Sequence, residues 1–194
     1  NFSFFNYIFL DSLSFLGLEF IQKRGLQKSK NSNVACCCWY QNYKNKHFCL
    51  CNNIICYFIG DDKNNNYRLK LEKEIFKKKL NLNCKIYGHI SSEDMKLMYK
   101  CSDLIISAPL QPEGFCRIIS EGLAMKKIVL CYNYGGTKEQ ISGLNDFYGI
   151  EPLNKNQMID KINIALNMSN NTKEQMGEAA RIHILRNFSK KNML

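Results

Sequence analysis

From Asn53 onward, short apolar runs alternate with segments in which apolar residues recur at helical spacing. The run Ile54–Ile59 is continuously apolar and ends in Gly60-Asp61-Asp62, which is typical of a buried parallel strand that enters a loop. The same pattern predicts strands at Ile54–Ile59, Cys84–Tyr87, Asp103–Ser107, Ile128–Tyr132 and Phe147–Ile150. It predicts helices at Tyr67–Leu80, Ser92–Lys100, Phe115–Met125, after Gly136, at Lys155–Met168 and at Lys173–Arg186.

Strands that alternate with helices through short connections predict an α/β fold, a Rossmann-like parallel sheet with helices on both faces. In such sheets ligands bind at the carboxyl ends of the strands. Four loops are therefore candidates for a binding site, namely Gly60–Lys63, Gly88–Ser91, Ala108–Gly114 and Asn133–Thr137.

The part of the chain before Asn53 has a different character. Asn1 to Ile21 is apolar and aromatic, but Asp11 and Glu19 interrupt it and no basic segment precedes it, which argues against a signal peptide or a spanning helix. Lys23 to Cys51 has neither helical nor strand periodicity. We therefore expect two parts: a poorly readable segment 1–52, either non-native or disordered, and a domain 53–194.

The chain has 194 residues and a formal charge of +10, with Lys+Arg 27 against Asp+Glu 17. The basic residues are mostly lysines, so an arginine-rich nucleic-acid surface is not indicated, and nucleic acid is not an expected partner. The 10 Cys residues contain no C-x-x-C pair, which leaves zinc-ribbon and thioredoxin-like sites without their spacing. Free thiols in a reducing cytoplasm are the expected state.

Two carboxylates and a glycine pair follow the predicted strand at Asp103–Ser107. Glu113 lies in the loop after this strand, and Glu121 lies two turns into the next helix. A carboxylate at such a position can accept hydrogen bonds from sugar hydroxyls, while the first-turn N–H groups face an anion. Gly135-Gly136 would let the backbone approach a phosphate. Taken singly, Glu113 is equally a helix cap, Glu121 a solvated carboxylate and Gly135-Gly136 a turn.

In their order and spacing, these residues resemble a known family. Pro112 to Met125, followed by an apolar strand and Gly-Gly-x-x-Glu, is similar to the E-x7-E signature of retaining glycosyltransferase family 4 in the C-terminal nucleotide-sugar domain of the GT-B fold. Further similarities to the family's motifs occur at Phe58-Ile59-Gly60-Asp61, Ile86-Tyr87-Gly88-His89-Ile90, Asp103-Leu104-Ile105-Ile106-Ser107 and from Ala180-Arg181 to Asn187-Phe188-Ser189. The resemblance covers about Asn53 to Leu194.

The resemblance implies a donor-binding site for a nucleotide diphosphate sugar as substrate, with retention of configuration and with no cofactor or bound metal. Glu113 would be the catalytic residue and would hold the sugar hydroxyls with the backbone of Gly114 and Phe115, while Glu121 would hold the ribose. The backbone of Gly88, His89 and Ile90 would meet the base, and the amides of Gly135, Gly136 and Thr137 would approach the diphosphate or the sugar. Gly60, at the start of the first ligand loop, would also bind the donor.

The sequence also departs from the family. Cys116 and Gly122 stand where the family usually has Gly and Ala, and the family's phosphate-neutralising Gly-Arg and Lys-Gly are not found in Val34–Asn53. The acceptor-binding domain with its histidine is also absent. We therefore expect a donor-binding domain that is inactive alone. The alternative is a truncated or frameshifted remnant, since the chain begins with Asn1 rather than Met.

Two further expectations concern partners and histidines. The acceptor would be a glycan or a lipid-linked glycan of the cell envelope, bound through the missing domain, and the protein would be cytoplasmic with peripheral contact to the inner face of a membrane. A solvated lysine-rich exterior explains the charge equally well. His89 is expected to contact the nucleotide, whereas His47 and His183 are expected on the surface. A dinucleotide oxidoreductase is disfavoured because no G-x-G-x-x-G follows a predicted strand.

Overall fold

The computed structural model describes residues 32–36, 54–60, 66–82, 84–109 and 111–189. Its six strands are β1 (Ser32–Cys36), β2 (Ile54–Ile59), β3 (Cys84–Tyr87), β4 (Leu104–Ser107), β5 (Val129–Tyr132) and β6 (Gly149–Ile150). Its helices are α1 (Asn66–Lys77), α2 (Ser92–Cys101), α3 (Arg117–Ala124), α4 (Gly136–Ile141), α5 (Lys155–Asn167) and α6 (Asn170–Asn187).

The strands form one parallel sheet in the order β3-β2-β1-β4-β5-β6. This is the doubly wound order, in which the chain leaves β1 toward one edge and returns through β4 toward the other. The predicted α/β class with a Rossmann-like parallel sheet is confirmed. The crevice at the carboxyl ends of β1 and β4 is the topological switch point where such folds bind ligands.

Strand β1 corrects the prediction for the N-terminal part. No element was predicted between Lys23 and Cys51, yet β1 lies there and pairs with both β2 and β4 at the centre of the sheet. Its five residues, Ser-Asn-Val-Ala-Cys, lack the continuous apolar run that identifies a buried strand, so pairing on both edges decides its structure. The predictions for residues 1–31 and 37–53 otherwise lie outside the described residues.

The helices cover the sheet on both faces, and each face has its own apolar cluster. Alternate residues of the strands supply the two clusters: Leu104 and Ile106 face one and Ile105 the other. Helices α1 and α5 pack on the first face and α2, α3, α4 and α6 on the second. In the described part of the chain, no helix is long and apolar enough to cross a bilayer.

The predicted bounds of the other elements agree with the structure to within about three residues. Ser91 caps α2, which starts at Ser92 as predicted. Ser169 accepts a hydrogen bond from the amide of Thr172 and so begins α6 at Asn170, three residues before the predicted start. Helix α3 is shorter than predicted because its N-cap is Cys116, whose side chain makes no capping hydrogen bond.

Candidate functional site

The described parts of the predicted ligand loops follow the carboxyl ends of parallel strands, so they lie along one edge of the sheet. Residues 61–63 and 110 of these loops lie outside the described residues. Gly60 follows β2, and its amide donates to the carbonyl of Tyr87 at the end of β3 (3.3 Å). The next loop carries Gly88 and Ile90, both half-buried, and His89, which is exposed. His89 is thus exposed at the edge where the sequence predicts a nucleotide contact.

The loop before α3 and the start of α4 are in direct backbone contact. The amide of Gly136 donates to the carbonyl of Glu113 at 2.8 Å. A Cβ atom at Gly136 would lie 1.8 Å from the carbonyl oxygen of Gly114, and Gly135 adopts a left-handed φ of +57° that favours glycine. The contact therefore requires glycine at both positions, and the amide of Gly136 is already engaged, so a diphosphate contact here would fall to Gly135 and Thr137.

The Glu113 side chain is half-buried beside the thiol of Cys116. Burial raises the pKa of Glu113, and a hydrogen bond from the Cys116 thiol partly offsets this. Burial, and next the charge of Glu113, raise the pKa of Cys116 to about 12, so the thiol stays protonated and serves as a donor. Its sulfur also lies 3.4 Å from Ser107 Oγ at the end of β4. The Cys116 thiol thus forms part of the immediate surroundings of the Glu113 carboxylate.

Glu121 is held from the neighbouring helix. Tyr99 Oη, on α2, donates to Glu121 Oε2 at 2.9 Å. Burial raises the pKa of Glu121, while the Tyr99 hydroxyl and the charge of Arg117 lower it. The interpretation of Glu121 as a solvated surface carboxylate is therefore wrong, since its oxygen has a fixed donor and its charge is partly desolvated.

Gln140, which the sequence analysis did not single out, is fully buried between α4 and α3. Its Oε1 accepts from the amide of Cys116 (3.3 Å), and its Nε2 donates to the Cys116 carbonyl (3.1 Å) and to Ser120 Oγ (2.6 Å). Both polar ends of the side chain are thereby satisfied. Only the Gly-Gly at the start of α4 pointed to this helix, and no local pattern marked Gln140 itself.

His183 corrects a prediction, because it is half-buried rather than a surface residue. Its Nε2 lies 3.0 Å from the carbonyl oxygen of Gln140, and its Nδ1 lies 3.2 Å from Asn187 Nδ2. An amide NH₂ only donates and a carbonyl only accepts. We therefore assign the proton to Nε2, which donates to Gln140 and connects α6 to α4.

The remaining predicted site residues differ in exposure. Phe115 is 39% exposed, with its ring centroid 6.1 Å from that of Phe188. Thr137 is 1% exposed, and its Oγ1 has no hydrogen-bond partner within the described structure. Within the same residues, no group of three His, Cys, Asp or Glu side chains is placed to hold a metal ion. The absence of a metal from the reaction remains a prediction.

Comparison with solved structures defines the class of this fold. A glycosyltransferase from Rickettsia africae is 28% identical, with a TM-score of 0.69, over 86% of this chain and 46% of that one. Anabaena HepE, solved in complex with UDP-glucose, is 20% identical, with a TM-score of 0.69, over 84% of this chain and 47% of that one. The domain therefore has the α/β fold of the GT-B glycosyltransferases.

The sequence model of the family described as glycosyl transferases group 1 matches residues 27–183. The chain belongs to this family, as the E-x7-E motif indicated. A lipopolysaccharide 1,2-N-acetylglucosaminetransferase of Salmonella typhimurium is 28% identical over 117 residues, which are 60% of this chain and 30% of that protein. The chain thus spans less than half the length of these relatives.

Proposed function

We propose that this domain binds the donor of a retaining glycosyltransferase, which transfers a sugar from a nucleotide diphosphate sugar to a glycan or lipid-linked acceptor. The main supporting observation is the backbone contact between Glu113 and Gly136, which joins the two loops that the resemblance assigns to sugar and diphosphate. One relative solved with UDP-glucose and another named as an N-acetylglucosaminetransferase support such a donor.

In this proposal each half-buried carboxylate accepts hydroxyl donors from one part of the ligand. Glu113 accepts from the sugar and, with the amides of Gly114 and Phe115, orients it, while Glu121 accepts from the ribose with its other oxygen held by Tyr99. Burial weakens competition from water and strengthens these hydrogen bonds. The leaving diphosphate would be stabilised by backbone donors placed before the reaction begins, without a metal ion.

The acceptor side of the reaction is also part of the proposal. Since the chain spans 30–47% of its relatives' lengths, we infer that a separate domain binds the acceptor and that the donor-binding domain alone does not catalyse transfer. The Salmonella relative acts on lipopolysaccharide by its name, which supports an acceptor in the cell envelope. The cytoplasmic location stays a prediction from the sequence.

The substitution Glu121→Gln tests the ribose contact. It keeps an oxygen that accepts from Tyr99 but removes the charge that strengthens bonds to ribose hydroxyls, so we expect the affinity for UDP, GDP or ADP to fall about 10- to 100-fold. For the wild type, nucleotide at 100 times its Kd should stabilise the fold by about 2.7 kcal/mol. Thermal unfolding with and without each nucleotide measures both effects.

The same substitution should weaken nucleotide binding but raise the stability of the protein without ligand. Folding raises the pKa of Glu121, so ionisation of its carboxylate destabilises the folded state. This loss of stability develops as the pH rises from the pKa of the unfolded chain, about 4.3, through the higher pKa of the folded state. At pH 7 we expect the ligand-free Glu121→Gln protein to unfold at a higher temperature than the wild type. This difference in unfolding temperature should disappear at about pH 4. Glu174→Gln on the exposed side of α6 is the control. The absence of any nucleotide-induced stabilisation in the wild type would contradict the proposal.

Peripheral membrane contact is supported by one described surface. Around the C-terminal end of α1, Phe76 is 74% exposed and Leu82 is 87% exposed, beside the exposed Lys73 and Lys77. Exposed apolar side chains flanked by lysines suit an anionic lipid surface. We propose that this surface contacts the inner face of the membrane.

Vesicle sedimentation tests this contact. The protein should sediment with anionic but not with neutral vesicles, and less so at high salt because screening weakens the attraction. Replacing Lys73 and Lys77 by Glu, a change of four charges, should release it, whereas Lys173→Glu on α6, a change of two charges elsewhere, should have less than half of this effect. Equal recovery in the supernatant with both kinds of vesicle would exclude the contact.

A further inference from the structure

The Gln140 side chain connects α4 to the N-cap and to the first turn of α3. Its side chain bonds both the N–H and the C=O of Cys116 and also the hydroxyl of Ser120. The side chain is 0% exposed, so loss of its amide would leave the buried N–H of Cys116 without this acceptor and the Ser120 hydroxyl without this donor. The Cys116 carbonyl would still accept from the amides of Ile119 and Ser120. A buried N–H that loses its acceptor is costly, which makes this clamp specific for an amide.

The clamp has a defined place on α4. Gly136 and Gln140 are four residues apart, so they lie on the same face of the helix, and this face is bonded at two points to the loop before α3. The amide of Gly136 holds the carbonyl of Glu113, and Gln140 holds both backbone groups of Cys116. Gly114 and Phe115 lie between the two attachments, so the clamp limits their movement at both ends.

Helix α4 is in turn held from behind. His183 Nε2 on α6 lies 3.0 Å from the backbone carbonyl of Gln140, and Asn187 orients the imidazole. Glu121, by contrast, receives its hydrogen bond from Tyr99 on α2. The Glu121 carboxylate therefore has a donor on α2 that does not depend on Gln140, although Gln140 also bonds Ser120, the neighbour of Glu121 on α3.

We propose that Gln140 is a positioning residue that sets the segment Glu113–Phe115 for the sugar part of the donor, without touching the donor itself. The inference rests on the proposed function. It further predicts that sugar and nucleotide recognition are separable. Loss of the amide disturbs the segment that the sugar meets, while the ribose site at Glu121 keeps its own support from Tyr99.

The test compares two ligands on the full chain. Gln140→Met keeps the length and unbranched shape of the side chain but removes both polar ends. We expect its affinity for UDP-N-acetylglucosamine to fall about tenfold and that for UDP to fall less than about threefold, measured by calorimetry. UDP-glucose with UDP, and GDP-mannose with GDP, are measured in parallel, and the pair that the wild type binds best is used.

Ile141→Val is the matched control, because it destabilises the same helix by removing a buried methylene and leaves the Gln140 clamp intact. It should lower the melting temperature and leave the ratio of the two affinities unchanged. An equal loss of affinity for both ligands in Gln140→Met would show a merely structural role and overturn the inference. Unchanged affinity for both ligands would overturn it as well.

A ligand-free measurement separates this inference from the proposed function. In hydrogen exchange, Gln140→Met should speed exchange at residues 113–117, whereas Ile141→Val should not, and exchange of the α2 peptide should be the same in both. If the wild type binds none of the nucleotides, the proposed function fails and with it the sugar-specific role. Unchanged exchange at residues 113–117 would refute the clamp itself, whatever the nucleotide result.

Discussion

A single methyl group at residue 136 is expected to abolish donor binding. The Cβ atom of Gly136→Ala would lie 1.8 Å from the carbonyl oxygen of Gly114 and 2.6 Å from its carbon. Both are backbone atoms, so the clash is relieved only if the loop before α3 moves away from α4. That movement breaks the hydrogen bond from residue 136 to the Glu113 carbonyl and displaces the Glu113 side chain.

The expected cost in stability is about 1–3 kcal/mol, the range for overpacking a tight contact, and a chain of this size loses roughly 2–4 °C of melting temperature per kcal/mol. The larger effect is on donor binding, because the two loops that would hold the sugar and the diphosphate no longer keep their relative position. Thermal unfolding with and without the best nucleotide sugar measures both quantities on the same sample.

Two glycine variants serve as controls. Gly88→Ala places its Cβ in open space, with no atom within 4 Å, so it should leave stability near that of the wild type. Gly143→Ala is strained by a left-handed φ of +88°, which costs roughly 1–2 kcal/mol, but it follows α4 and does not meet the Glu113 loop. It should lower the melting temperature while the ligand still stabilises the protein. Ligand stabilisation that persists in Gly136→Ala would contradict the assigned contact.

Features encoded by neighbouring residues could be predicted from the sequence. The strand Ile54–Ile59 is one continuous apolar run, and its predicted bounds agree with β2. Glu113 and Glu121 stand in one short motif, so their place in a loop and on the following helix was predictable. In such segments, local pattern and tertiary environment favour the same structure.

Features that depend on distant contacts could not be predicted in this way. Tyr99 lies 22 residues from Glu121, and Gln140 lies 24 residues from Cys116 and 43 from His183. In sequence, Tyr99 is an apolar-face residue of an amphipathic helix and His183 a polar residue on a late one. Only the packing of α2, α4 and α6 on one face of the sheet brings their polar atoms to the site.

Strand β1 could not be predicted from its own sequence either. Its removal is expected to have the second large effect. A chain that starts at residue 53, where the sequence pattern becomes regular, would lack the strand that pairs with both β2 and β4. Without it, β2 and β4 have no shared neighbour, their inner edges lose their backbone partners, and such buried groups are costly to leave unpaired. We expect residues 53–194 to show no cooperative unfolding transition, measured by circular dichroism on heating.

A chain that starts at residue 27, where the family match begins, keeps β1 and should unfold cooperatively. In the full chain, Ala35→Pro removes an N–H from the strand at the position that pairs with Tyr57 and Ile105, and proline is excluded from central strands for this reason. Ala35→Pro should likewise abolish the cooperative unfolding transition, whereas Ala35→Ser, which keeps the N–H, should not. If residues 53–194 instead melt at the temperature of the full chain, the sheet does not need β1, and the division near Asn53 describes the folding unit after all.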